Sequence, residues 1–217
     1  MKDFKIVWSA RSECGPNRKK NEDTIFPAIS GSSKPPFKAA VCDGLGGHVN
    51  GDVASKIAAD TLLKEITDLN QIITEANKNI LEYQDKNPSS LGMGTTMTAI
   101  SIDSDALMKI GHVGDSRCYV LSDRNLIKVT EDQNVPGYQN VLKQALGSNE
   151  KLNIQEVDFQ LQIGDVVFLC SDGLYNEIGE EYIKKKMQDG ISADTFVSEV
   201  LLLNPKDNVS AIVINVV

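Results

Sequence analysis

The chain lacks the features that mark secreted, membrane and thiol-redox proteins. Its four cysteines, Cys14, Cys42, Cys118 and Cys170, form no CxxC pair, so neither a zinc ribbon nor a thioredoxin-type site is supported. The N-terminus, MKDFKIVWSARSE, is too polar for a signal peptide, and no apolar run approaches the roughly 20 residues of a membrane span. Cys42 and Cys170 each end an apolar run and fit reduced, buried thiols. We expect a cytoplasmic protein without a membrane partner.

Histidine and positive charge are also scarce. Only His48 and His112 are present, which excludes a zinc hydrolase with three or more imidazole ligands. His112, inside IGHV, fits a structural role, whereas His48 fits either a loop-ordering hydrogen bond or a proton donor. The 22 basic and 30 acidic residues give a net charge of −8, which predicts no nucleic-acid partner. A phosphorylated substrate would need local positive charge, from metal ions or a placed arginine.

Several catalytic motifs are missing. The chain has no GxSxG serine elbow and no GxxxxGK[ST] phosphate loop, and GLGGHVNG does not fit a dinucleotide fingerprint after a strand. A phosphatase of the haloacid dehalogenase type needs a DxD motif after its first strand. The one candidate, Asp103 and Asp105 in IDSDA, reads as a hairpin turn without the rest of that pattern.

The pattern of apolar residues predicts one α+β domain over residues 1–217. Alternating runs such as FKIVW indicate antiparallel strands with one exposed face, while VVFLC and AIVINVV predict strands in a sheet interior. Two helix pairs are predicted, so the expected fold is a central β-sandwich of two antiparallel sheets flanked by helix pairs. The predicted helices are Gly51–Thr67, Leu69–Tyr83, Ile178–Met187 and Ala193–Leu203. The predicted strands are Phe4–Ala10, Phe37–Cys42, Thr95–Ile102, Leu107–Val113, Cys118–Leu121, Ile154–Leu161, Val166–Cys170 and Val209–Val217.

Aspartates at the ends or starts of apolar runs are the candidates for chemistry. Singly, an aspartate beside a glycine is more often a turn former, as expected for Asp165, and Asp52 suits the first turn of a helix. Asp43 and Asp172 differ because each follows an apolar strand, where a carboxylate emerges at the sheet edge. Gly44, in VCDGLGGH, could add a carbonyl oxygen. Oxygen-only clusters suit Mg²⁺ or Mn²⁺.

Six segments, read in order, resemble the metal-dependent type 2C serine/threonine protein phosphatases. They are RKKNED (18–23), VCDGLGGH (41–48), GMGTT (92–96), GHVGDSRCYV (111–120), LCSDGL (169–174) and DNVSAIVI (207–214), and together they span almost the whole chain. Leu45 after the Asp-Gly pair is similar to the bacterial branch, since eukaryotic members usually carry histidine there. The resemblance implies the same sandwich of two antiparallel sheets with flanking helices.

The resemblance also implies a role for each candidate. Asp43 would bridge two Mn²⁺ or Mg²⁺ ions, with the Gly44 carbonyl on one of them, and Asp172 and Asp207 would complete the binuclear centre. Asp23 and Glu22 would hold or orient metal-bound water, Asp115 would share a weaker third ion with Asp43, and Arg18 would grip the phosphate. A bridging water, made acidic by two cations, would attack phosphorus in line. Metal-bound water or His48 would protonate the leaving alkoxide.

The chain departs from the family pattern after Leu126–Thr130. Gln133 stands where the family commonly has histidine, and the flap near residues 133–141 is shorter than usual. The expected partners are phosphorylated proteins, substrates of a serine/threonine kinase, and the expected state is a monomer. The alternative is a catalytically silent domain of this fold that binds a phosphoprotein or a regulatory partner. Silent relatives would be expected to lose a core aspartate, and all are present here.

Overall fold

The structure, a computed structural model, describes residues 4–46, 49–148 and 150–217. Within these ranges no helix is long and apolar enough to cross a lipid bilayer. The helices are α1 Gly51–Thr61, α2 Leu69–Lys86, α3 Asp172–Gln188 and α4 Ala193–Leu201, with a 3₁₀ turn at Pro88–Ser90. The strands are β1 Ile6–Glu13, β2 Asp23–Phe26, β3 Gly31–Ser33, β4 Phe37–Asp43, β5 Met97–Ile102, β6 Leu107–Val113, β7 Arg117–Ser122, β8 Asn125–Lys128, β9 Asn134–Val135, β10 Tyr138–Leu142, β11 Gln155–Gln160, β12 Val166–Cys170 and β13 Val209–Val216.

Two antiparallel sheets form the centre of the molecule, as predicted. The first sheet has six strands in the order β3-β1-β13-β12-β7-β8. The second has five in the order β11-β6-β5-β4-β2, and β9 and β10 pair separately as a small hairpin. A short turn joins the neighbouring strands β5 and β6, the helix pairs connect β4 to β5 and β12 to β13, and short turns such as the one from β6 to β7 carry the chain between the sheets.

Three apolar layers hold four structural layers together. One lies between the sheets, a second packs α1 and α2 against the five-stranded sheet, and a third packs α3 and α4 against the six-stranded sheet. Strand β12 explains why VVFLC is apolar throughout. Val167 and Leu169 face the other sheet, whereas Phe168 and Cys170 face the helices, so both faces of the strand are buried. The predicted helix-flanked sandwich is confirmed.

The predicted helix Gly51–Thr67 is too long, because α1 ends at Thr61. Lys38, from β4, lies under the following turn and donates from Nζ to the carbonyl oxygens of Ile66 at 2.6 Å, Lys64 at 3.2 Å and Leu62 at 3.4 Å. An ammonium group satisfies carbonyls that a continuing helix would have bonded internally. The apolar stripe continues past Thr61, but the helix does not.

The third predicted helix is only the second half of α3. This helix begins at Asp172, directly after β12, and Gly179 interrupts it with φ 65° and ψ 164°. The early start places Asp172 in the first turn, where the positive end of the helix dipole favours a carboxylate. The kink then lets Ile183 and Met187 turn into the core. The strand boundaries of β6 and β12 match their predictions, whereas β2, β3 and the β9–β10 hairpin were not predicted.

Candidate active site

The predicted aspartates converge at one end of the sandwich, from elements of both sheets. An open cleft of about 740 Å³ lies there, lined by Arg18 together with most of the carboxylates. Asp23 begins β2, Asp43 ends β4, Asp115 joins β6 to β7, Asp172 begins α3 and Asp207 precedes β13. Of these five, the cleft is lined by Asp43, Asp115, Asp172 and Asp207.

Strand pairing brings Asp23 and Asp43 side by side. They are directly opposed in the β2–β4 ladder, so their side chains share one face. Asp23 is 8% exposed and accepts a hydrogen bond from Ser210 Oγ at 2.6 Å. Burial raises the pKa of Asp23 to about 6. Burial, then the charges of Asp23 and Asp172, raise the pKa of Asp43 well above its ordinary value.

The main chain of Asp43 is clamped by two threonines of the GMGTT segment. Thr96 accepts from Asp43 N through Oγ1 at 3.0 Å and donates its own N–H to Asp43 O at 2.8 Å. Thr95 Oγ1 donates to the same carbonyl oxygen at 2.9 Å. Gly44 N donates to Glu22 O at 3.1 Å, and a Cβ at Gly44 would lie 2.6 Å from that oxygen. This segment therefore fixes Asp43, and glycine is needed beside it.

Asp172 and Asp207 meet because of Gly173. A Cβ at Gly173 would lie 2.1 Å from Asn208 O and 3.0 Å from the Asp207 Cβ, so no larger residue fits between the two segments. Burial, then the charges of Asp115 and Asp207, raise the pKa of Asp172 to about 7. Asp207 accepts from Asn208 N at 2.8 Å through Oδ1. Asp172 follows β12 and Asp207 precedes β13, two neighbouring strands of the six-stranded sheet.

Arg18 reaches into this cluster from the loop between β1 and β2. Its Nη2 pairs with Asp207 Oδ2 at 2.5 Å, its Nη1 lies 3.9 Å from Glu22 Oε2, and its Nε donates to Lys206 O at 3.3 Å. A Cβ at Gly46 would lie 2.6 Å from Nη1, so the glycine makes room for the guanidinium. Burial raises the pKa of Glu22. The predicted phosphate-binding arginine thus stands beside the carboxylates.

Asp115 is tied to the start of the β9–β10 hairpin. Asn134 Nδ2 donates to Asp115 Oδ2 at 2.9 Å, and Tyr175 donates its hydroxyl to Asp115 O at 3.1 Å. Gln133, the residue that departs from the family pattern, accepts through Oε1 from Gly114 N at 2.9 Å and from Gln144 Nε2 at 2.8 Å. The hairpin is therefore hydrogen-bonded to the turn that carries Asp115, a connection that no pattern in the sequence predicted.

An ion pair between Arg117 and Asp132 supports the same turn. Arg117 contacts both carboxylate oxygens of Asp132, at 3.0 Å from Nε to Oδ1 and 2.6 Å from Nη2 to Oδ2. The guanidinium carbon lies 3.5 Å from the centroid of the Tyr175 ring. This stack positions the tyrosine that donates to Asp115.

His112 does not join the carboxylate cluster. His112 is fully buried in β6, with Nδ1 2.8 Å from Thr98 Oγ1 and Nε2 3.1 Å from Glu131 O. Burial lowers its pKa to about 4, which agrees with the predicted structural role. His48, the predicted alternative proton donor, lies outside the described residues.

Three other aspartates serve local structure, as predicted. Asp165 accepts from Gln162 N at 2.9 Å in the turn before β12. Asp103 accepts from Asp105 N at 2.8 Å in the hairpin turn between β5 and β6, which removes the DxD candidate. Asp52 lies in the first turn of α1.

The donor set fits hard divalent cations. Carboxylate oxygens are the ligands that Mg²⁺ and Mn²⁺ prefer, and Asp23 Oδ1 and Asp172 Oδ1 are buried without a hydrogen-bond partner among the described groups. A buried, unpartnered carboxylate oxygen costs stability unless a proton or a cation neutralises it. The described side chains do not by themselves form a closed group of three metal-ligand residues. In this arrangement Asp207 is paired with Arg18, and Asp115 with Asn134.

The comparisons with known proteins agree with this geometry. Residues 16–201 match the protein phosphatase 2C family.

The chain belongs to the protein phosphatase 2C family.

Its relatives include the serine/threonine phosphatase stp of Listeria monocytogenes, 31% identical over 94% of this chain and 93% of the relative. The serine/threonine protein phosphatase PstP of Mycobacterium tuberculosis is 29% identical over 98% of this chain and 45% of its own length. A solved catalytic domain of PstP in complex with two manganese ions superposes with a TM-score of 0.86, at 28% identity and 99% coverage of both chains. This phosphatase is thus a metal-dependent protein serine/threonine phosphatase of the bacterial type.

Proposed function

We propose that this phosphatase hydrolyses phosphoserine and phosphothreonine in proteins at a binuclear Mn²⁺ or Mg²⁺ centre. Asp43 would bridge the two ions, and the Gly44 carbonyl, Asp172 and Asp207 would complete the ligand set. The observation that carries the proposal is the pair of buried, unpartnered oxygens, Asp23 Oδ1 and Asp172 Oδ1, which come from different sheets. When bound, the two cations supply an activated water for in-line attack on phosphorus and offset charge on the phosphoryl oxygens.

Arg18 binds the phosphate in this proposal. Its planar guanidinium can hold two phosphoryl oxygens at once, which a lysine ammonium cannot do. In the structure the same group pairs with Asp207 and lies near Glu22. Substrate binding would therefore exchange the Asp207 contact for phosphate while leaving Asp207 available to the centre.

The remaining acidic residues orient water and a third ion. Asp23 and Glu22 lie at the margin of the cluster and would hold water by accepting its hydrogen bonds. Asp115 would share a third ion with Asp43. Asn134 donates to Asp115 Oδ2, so the hairpin is in contact with the carboxylate that would hold that ion.

The proposal extends to the chain as a whole. We place residues 1–217 in one catalytic unit with a short flap near residues 133–141, working as a monomer in the cytoplasm on substrates of a serine/threonine kinase. The net charge of −8 supports neither nucleic acid nor an anionic membrane as a partner.

The test is hydrolysis of a phosphothreonine peptide with Mn²⁺ or Mg²⁺. Activity should appear with metal and disappear in excess EDTA, and Asp43→Asn and Asp172→Asn should each lose nearly all turnover. Arg18→Ala should mainly raise KM. Asp158→Asn is the matched control, because Asp158 is exposed, pairs with Lys109 and does not line the cleft. Full activity in excess chelator, or the absence of hydrolysis with either metal, would refute the proposal.

A further inference from the structure

The rim of the cleft carries positive charge that the metal centre does not need. The carboxylates among the described lining residues are the four candidate ligands and Glu177, and the cations are Arg18, Lys143 and Lys206. Divalent cations would neutralise the negative charge of the candidate ligands, so the remaining side chains of the rim carry more positive than negative charge. That excess is unusual for a chain whose net charge is −8.

Lys206 stands beside the phosphate-binding arginine. Its carbonyl oxygen accepts from Arg18 Nε at 3.3 Å, and the preceding Pro205 carbonyl accepts from Asn17 Nδ2 at 2.9 Å. The main chain here is thus anchored, whereas the Lys206 side chain is exposed. Its ammonium group has no hydrogen bond or ion pair with any part of the chain that the structure describes.

Lys143 stands on the flap side of the same cleft. It follows β10, and its N–H donates to Gln133 O at 2.8 Å. The neighbouring Gln144 is held by Gln133 and by Asn153 O, at 2.8 Å and 2.7 Å from Nε2. The Lys143 side chain is exposed, and among the described residues its ammonium is unpaired as well.

Pairing is common among lysines elsewhere on this surface. The lysines at 20, 56, 64, 78, 86, 109, 128 and 186 each lie within 4.0 Å of an aspartate or glutamate oxygen. Other lysines, such as Lys185, also lack a carboxylate partner, but among the described residues Lys143 and Lys206 are the lysines that line the cleft, and both stand on anchored main chain. The rim therefore has unmatched positive charge. A ligand that supplies carboxylates would match it.

We propose that Lys143 and Lys206 select phosphoprotein segments with acidic side chains flanking the phosphorylated residue. The proposal rests on the proposed function, since it places the phosphate at Arg18 in the centre of the cleft. An extended segment crossing the cleft would present one flank to Lys206 and the other to Lys143. Exposed ion pairs contribute modestly, so each lysine should change kcat/KM by about two- to fivefold at low salt.

The experiment compares three phosphothreonine peptides of equal length with glutamate, glutamine or lysine on both flanks. With Mn²⁺, kcat/KM should fall in that order, by about tenfold from the first peptide to the last. The ratio should shrink toward one at high ionic strength. Lys143→Gln and Lys206→Gln should each reduce the ratio through KM, and Glu177→Gln should increase it. Lys185→Gln is the matched control, because this exposed α3 lysine lies away from the cleft and should leave the ratio unchanged.

The outcomes separate this proposal from the one that it rests on. Hydrolysis of no peptide with either metal refutes the proposed function and this inference together. Equal hydrolysis of all three peptides, or a preference for lysine flanks, overturns the role of the two lysines and leaves the phosphatase activity standing. An acidic preference that survives in the Lys143→Gln, Lys206→Gln double variant also overturns it.

Discussion

Without metal, the carboxylate cluster is predicted to make the protein more stable as the pH falls from about 7.5 to about 5.5. Burial raises the pKa of Asp23 to about 6 and that of Asp172 to about 7, from an ordinary value of 3.8. In this window these two aspartates hold more protons in the folded protein than in the unfolded chain. The stability from these groups is therefore present at low pH and is lost as the pH rises through about 6 to 7.

The size of the effect follows from the same pKa values. Between about pH 5.5 and about pH 7.5, proton linkage gives about 2 kcal/mol for Asp172 and about 1 kcal/mol for Asp23. Buried His112 opposes this change by about 1 kcal/mol, because its pKa of about 4 lies below its ordinary value and the unfolded chain takes up its proton first. The net change is about 1–2 kcal/mol in the free energy of unfolding, which for a domain of this size corresponds to a shift in Tm of about 3–7 °C.

The assay is urea unfolding in EDTA at both pH values, followed by the fluorescence of the single tryptophan, Trp8. Asp172→Asn removes the larger titration and should reduce the pH dependence by more than half, whereas the exposed Asp158→Asn should not. In saturating Mn²⁺ the dependence should reverse, because cations bind the deprotonated carboxylates. Equal pH dependence in the wild type and Asp172→Asn would refute the reasoning.

Three further predictions follow from contacts around the site. Asp132→Asn should lower stability near neutral pH by about 2 kcal/mol in urea unfolding, since it breaks a largely buried fork with Arg117. Burial acts to raise the pKa of Asp132, but the ion pair with Arg117 lowers it below its ordinary value. The stability that the ion pair contributes should therefore be lost at acid pH. A loss below about 0.5 kcal/mol near neutral pH would contradict a stabilising ion pair. Lys38→Met should lower the free energy of unfolding by about 1–2 kcal/mol and speed amide hydrogen exchange just after α1. Unchanged exchange there would argue against a stabilising role for the hydrogen bonds from Lys38 to this turn. Gly173→Ala should weaken Mn²⁺ binding at least tenfold by calorimetry while circular dichroism stays folded, and wild-type affinity would rule out the steric argument.

The pattern of apolar residues predicted the interior strands, because a strand that is buried on both faces is apolar at consecutive positions. VVFLC and AIVINVV are apolar at every position, and both strands lie between neighbours with both faces covered. The fold class and the order of helix pairs followed from such runs. Short or polar strands have no comparable apolar run in the sequence. β2 begins with the polar Asp23 and Thr24, and the β9–β10 hairpin is largely exposed.

Long-range contacts account for the other differences. The end of α1 depends on Lys38, which lies on another element and carries no local signal. Helix α3 begins at Asp172, directly after Ser171, whereas the apolar pattern predicted a helix only from Ile178. For the site, the six motifs identified residues that the fold brings together. The connections from Gln133 and Asn134 to the Asp115 turn, and the unpaired Lys143 and Lys206, required coordinates.

The chain crosses from one sheet to the other within the active site. The Arg18 loop leads from β1 to β2, and the Asp115 turn leads from β6 to β7, each from one sheet to the other. Asp43 ends a strand of one sheet, and Asp172 follows a strand of the other. The distance between these two carboxylates is thus set by the thickness of the apolar layer, so the geometry of the site depends on the spacing between the sheets. A methyl group added at Val120 or Leu169, deep in that layer, would reach the chemistry as a change in ligand separation before it threatened the fold.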